Sequence, residues 1–128
     1  MRNLFLLAVA VAALAYVSRD GRSLDGSSWA VRVKPDSFFS FSRKDTLVFD
    51  SGRLTVAGQA AEGFSPASYR SARGEAEGAV SWQASLESAG RGVAQWQGVV
   101  REDRIEGDVV LLRSDGKTKR YRFEGRRV

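Results

Sequence analysis

The amino-acid sequence predicts an all-β fold, an antiparallel up-and-down meander of about eight short strands closed into a small barrel. Two-residue periodicity is the first sign. Trp29, Val31 and Val33 alternate with Ala30 and Arg32, and Val80, Trp82, Ala84 and Leu86 alternate with Ser81, Gln83 and Ser85. The second sign is the spacing of the turns, whose length and Gly, Asp and Ser content suit hairpin loops. The third is that no helix-period segment appears after residue 45.

At 128 residues the chain suits one domain, and its 43% hydrophobic and 27% charged residues favour a packed core over disorder. The absence of Cys excludes disulfides, thiol nucleophiles and lipid attachment through cysteine. The absence of His removes the commonest general base and transition-metal ligand. The net charge of +5 rests on 16 Arg and 4 Lys with acidic residues interleaved, which reads as a solvated basic surface; no nucleic-acid partner is expected.

Arg2 precedes an apolar run from Leu4 to Val17 and a polar stretch from Ser18 to Ser23, the layout of a secretory signal peptide. Ala13-Leu14-Ala15 fits the small-x-small cleavage pattern, so residues 1–15 (18 at most) are expected to be removed and residues 24–128 to form the barrel domain. An uncleaved membrane anchor is the alternative, but a helix over this run reaches about 21 Å against a hydrocarbon core of about 30 Å. The expected location is the periplasm or the outside of the cell.

The first strand is expected at Trp29–Val33, after the turn Leu24-Asp25-Gly26. Lys34-Pro35-Asp36 breaks the alternation, and Ser37 to Lys44, a long connection or a short helix, carries Phe38, Phe39 and Phe41 and has to cover something apolar, here the open barrel mouth beside Trp96. Asp45–Asp50 is the second strand. A two-residue loop at Ser51-Gly52 sets Asp50 against Arg53, Phe49 against Leu54 and Leu47 against Val56. The path of residues 57–78 is the least defined, with a turn at Gly63-Phe64-Ser65-Pro66 and a short fourth strand at Ala67–Ala72. Gly78–Glu87 is the fifth strand. A three-residue loop at Ser88-Ala89-Gly90, with Gly90 left-handed, then pairs Glu87 with Arg91 and Trp82 with Trp96 in a sixth strand, Gly92–Val100. A two-residue loop at Glu102-Asp103 pairs Val100 with Ile105, Gly98 with Gly107 and Trp96 with Val109. A three-residue loop at Ser114-Asp115-Gly116 pairs Val109 with Tyr121 and Gly107 with Phe123.

Most of these strands have one apolar face, which a flat sheet would leave exposed along with two edges. Closure removes both problems, and about eight strands enclose an interior that side chains can fill. A two-sheet sandwich is the alternative, but it calls for longer crossovers than these local hairpins.

Gly26-Ser27-Ser28-Trp29 resembles the Gly-x-Trp opening of lipocalins and avidins, the calycin group, with one extra residue. The resemblance implies that Trp29 closes one end of the barrel and that an Arg or Lys of the last strand packs over it. Antiparallel pairing of the last strand with the first brings Arg126 or Arg127 nearest.

No catalytic constellation stands out. Glu102, Asp103, Glu106 and Asp108 fall in a turn and on an outward face, and the Asp-Gly pairs are turn signals without the alternating carboxylates of a calcium loop. Neither enzymatic activity, a metal nor a cofactor is therefore expected. The candidate site is the inward aromatic set Trp29, Trp82, Trp96, Tyr121 and Phe123, with Gly98 and Gly107 either leaving room in the wall or relieving its curvature. Two functions fit: a binding module for a small apolar or aromatic ligand, and a structural or protein-interaction module of the cell envelope with a filled core.

Overall fold

Each strand pairs antiparallel with the next, and the last pairs with the first, closing an eight-stranded barrel. The computed structural model describes residues 23–36, 42–73 and 78–128. The N-terminal apolar run and the Phe38, Phe39 and Phe41 segment lie outside the described residues. The strands are β1 (Ser27–Pro35), β2 (Arg43–Asp50), β3 (Arg53–Val56), β4 (Ala67–Arg73), β5 (Ala79–Ser88), β6 (Gly92–Arg101), β7 (Arg104–Arg113) and β8 (Thr118–Arg127), with a single helical turn, α1 (Ala57–Ala60), between β3 and β4.

Most of the expected registers are present. Asp50 faces Arg53 and Phe49 faces Leu54. Ser51 and Gly52 both take positive φ, 54° and 75°, the type I′ geometry whose twist suits a two-residue hairpin. Gly98 faces Gly107, Trp96 faces Val109, and Tyr121 faces Val109 on the other side. The seam of the barrel pairs Trp29 with Arg127, Val31 with Gly125 and Val33 with Phe123.

Two expectations are corrected. The β5–β6 loop is Ala89-Gly90-Arg91 rather than Ser88-Ala89-Gly90, and the left-handed glycine is Gly92 at φ 117° rather than Gly90. The register therefore slips by two, setting Trp82 against Gly98 and Ala84 against Trp96 instead of Trp82 against Trp96. A slip of two keeps every side chain on its own face, so alternation cannot detect it. Volume decides: two indoles directly opposed would crowd one layer of a narrow barrel, whereas each now faces a small residue.

The second correction is α1, where no helix was expected. Its position follows from a buried acid. Asp45, 8% exposed on β2, accepts hydrogen bonds at Oδ1 from the Thr46 N–H (2.8 Å) and the Gly58 N–H (2.7 Å). A Cβ at position 58 would lie 2.6 Å from Asp45 Oδ2, so a larger residue there would displace the carboxylate that holds the turn. The turn so anchored delivers Gln59 and, after Gly63, Phe64 into the core.

The strands are staggered, as closure requires. Followed sideways from Pro35 through Tyr121, Val109, Trp96 and Ala84, the register reaches Tyr69, beside Gly52 and Asp25 at the opposite end of the barrel. Along the axis runs a column of ring contacts, Tyr69 to Phe49 (4.8 Å between centroids), Phe49 to Trp82 (5.0 Å), Trp82 to Phe123 (5.9 Å) and Phe123 to Trp96 (5.1 Å). The first two meet edge to face, an arrangement that directs the positive rim of one ring at the face of the other.

Candidate functional site

The two ends of the barrel differ. At the end where β1 begins, Trp29 is fully buried. Its Nε1–H donates to Ser27 Oγ (2.9 Å), whose hydroxyl donates to the Leu24 carbonyl (2.6 Å). The Arg127 guanidinium lies 4.5 Å from the centroid of the Trp29 ring, so Arg127 is the cation over the indole, while Arg126 reaches Asp103 at 3.6 Å. Asp25 accepts from the Gly52 N–H (3.0 Å) and the Tyr69 hydroxyl (2.8 Å), and the Tyr69 oxygen accepts from the Leu24 N–H (3.0 Å). Burial, reinforced by Asp25, pushes the Tyr69 hydroxyl well above its ordinary range and keeps it a donor. This end is shut by local hydrogen bonds.

The middle is filled. A Cβ at Gly98 would lie 3.0 Å from both Phe123 Cζ and Trp82 Cζ2, and one at Gly107 would lie 2.8 Å from Phe123 Cζ and 2.0 Å from the Gln97 carbonyl oxygen. The glycine pair is occupied by rings and by close backbone, as at a sharply coiled stretch of barrel wall. Trp82, whose Nε1–H is buried without a hydrogen-bond partner among the described residues, sits in this packed layer.

The other end holds a cleft of about 680 Å³. Its floor is apolar: Trp96, Val33, Val109 and Phe64 are buried, and Tyr121 and Leu111 are half-buried against the core. Trp96 is held from the side, its Nε1–H donating to Gln59 Oε1 at 2.9 Å, with Gln59 itself 7% exposed. The rim carries Arg43, Arg91, Arg113 and Lys119, with Glu62 as the acid among them. A larger concavity, about 1250 Å³, lies on the outside of the wall. Outward-facing Arg32, Arg104 and Arg126 are interleaved there with Glu106 and Glu124.

Of the residues singled out in the sequence, Trp96 and Tyr121 line the cleft, whereas Trp29, Trp82, Gly98, Gly107 and Phe123 form the closed end and the filled middle. Gln59, Phe64 and the four rim cations were missed. Phe64, an aromatic residue inside a Gly-Phe-Ser-Pro turn, was the available signal that this turn reaches the core. The cations are scattered along the chain and converge only in three dimensions. Among the described residues no group of acids is placed to hold a metal ion.

Compared with known proteins, the chain matches no family model, no curated protein and no solved structure. Its architecture, a closed antiparallel eight-stranded meander, is consistent with a calycin-like fold.

Proposed function

We propose that the protein is an exported, non-enzymatic binding module of lipocalin- or avidin-like design whose open mouth takes a small ligand with an apolar or aromatic body. The observation that carries this reading is the cleft over Trp96 and Tyr121, whose roughly 680 Å³ falls within the usual range for small-molecule sites. The filled middle favours a ligand at the mouth over one deep within the barrel. Trp29 under Arg127 supports the calycin likeness, and the apolar run from Leu4 to Val17 supports export to the periplasm or beyond the cell. The function needs no cofactor and no nucleic acid.

A structural or protein-interaction module of the envelope is the second reading, favoured by the continuous ring column from Tyr69 to Trp96. Titration of the full-length protein with N-phenyl-1-naphthylamine, a neutral aromatic probe, separates the two. Saturable binding, weakened about tenfold by Tyr121→Ala through loss of one aromatic contact, is the expected result. No saturable binding would leave the structural module standing. Export is tested separately by the mass of the protein in envelope fractions, where a start near Tyr16 is expected.

A further inference from the structure

We infer that the ligand of the barrel mouth is an amphipathic anion, its apolar or aromatic body lying on Trp96 and Tyr121 and its negative head meeting Arg43 and Lys119. This rests on the mouth being the binding site, and it adds the charge of the ligand. The four rim cations come from four separate places: Arg43 opens β2, Arg91 lies in the β5–β6 loop, Arg113 ends β7, and Lys119 stands near the start of β8. Closure of the barrel collects them around one apolar floor.

Their partners are unequal. Arg91 reaches Glu62 at 3.7 Å, and Arg113 reaches Asp115 of its own turn at 3.1 Å. Among the described residues neither Arg43 nor Lys119 has an ion-pair partner. Elsewhere on the barrel, Arg122 pairs with Asp108 and Arg126 with Asp103, and acids stand beside bases along the outer groove. The mouth thus combines an excess of positive charge with a floor of low dielectric, an arrangement that concentrates the field on an entering anion. Uncompensated cations at a mouth shaped for a neutral ligand would repel one another without return. The rim is open to water, so the head keeps part of its hydration and each cation contributes only about a two- to fivefold gain in affinity.

A matched pair of probes tests this. N-phenyl-1-naphthylamine and 1-anilinonaphthalene-8-sulfonate share an aromatic skeleton and differ by the sulfonate. With the full-length protein the sulfonate is expected to bind more tightly. The ratio of the two affinities should fall about four- to twenty-fivefold in Arg43→Gln/Lys119→Gln, and should fall also when salt is raised to about 1 M, where the screening length is about 3 Å. Arg104→Gln, on the outer wall, should leave the ratio where it was. Binding of the neutral probe with no preference for the sulfonate would overturn the anion inference and leave the cleft itself intact. A preference that survives the double substitution would overturn the assignment to Arg43 and Lys119. Failure of both probes would remove the mouth as a site, and this inference with it.

Discussion

Gly107→Ala tests whether the barrel wall depends on the missing side chain. A Cβ at this position would lie 2.0 Å from the Gln97 carbonyl oxygen, 2.6 Å from the Gly98 Cα and 2.8 Å from Phe123 Cζ. The first two atoms belong to the backbone of β6, which cannot rotate away as a side-chain tip can. Relief requires β6 and β7 to separate where Gly98 faces Gly107, or Phe123 to leave the ring column. Overpacking a core costs about 1–3 kcal/mol, and each ladder hydrogen bond lost adds about 1 kcal/mol. The expected loss is therefore about 3 kcal/mol or more, a large part of the roughly 5–15 kcal/mol that stabilises a domain. Urea unfolding followed by the emission of Trp29, Trp82 and Trp96 measures it. Two other glycines supply the scale. Gly90 has open space around its Cβ position and no positive φ, so Gly90→Ala should be neutral or stabilising by up to about 1 kcal/mol. Gly116 also has open space but φ 88°, so Gly116→Ala should cost about 1–2 kcal/mol from backbone conformation alone. A Gly107→Ala protein within about 1 kcal/mol of the parent would refute the reasoning, because ordinary surface changes are of that size.

Two further outcomes follow from the seam and the outer wall. In a double-mutant cycle of Trp29→Phe and Arg127→Gln, the 4.5 Å cation–ring contact should appear as a coupling of about 0.5–1 kcal/mol, at the low end because Arg127 is exposed. Strictly additive effects would show that Arg127 lies over Trp29 without stabilising it. Burial raises the Asp108 carboxyl above its ordinary 3.8, against the lowering influence of Arg122 and Gln97. The folded state then holds its proton to higher pH than the unfolded chain does, so stability falls as pH rises through the raised pKa. Asp108→Asn escapes this loss, and its melting temperature relative to the parent should climb between about pH 4 and pH 7. A relative melting temperature that stays flat or drops over that interval would contradict the shift.

Local chemistry alone determined a good deal. Alternation at Trp29–Val33 and Val80–Leu86 assigned faces, and the loops at Ser51-Gly52, Glu102-Asp103 and Ser114–Gly116 assigned three registers, because pairing across a tight turn depends only on residues a few positions apart. Closure followed as well, since β1 and β8 each carry an apolar face and have no other neighbour in a meander. Other features depended on what stands across the barrel. The β5–β6 register slipped by two without moving any residue to the other face, and only the bulk of Trp82 and Trp96 chose between the alternatives. Gln59 and Phe64 read as loop residues until Asp45 captured Gly58 and turned them inward. Gly98 and Gly107 could have lined a cavity or a bend, and the rings of Trp82 and Phe123 decided it by filling the space. Arg43, Arg91, Arg113 and Lys119 carry no pattern along the chain. Their meeting at one rim is set by the stagger of the closed sheet, which brings distant residues to the same height on the wall.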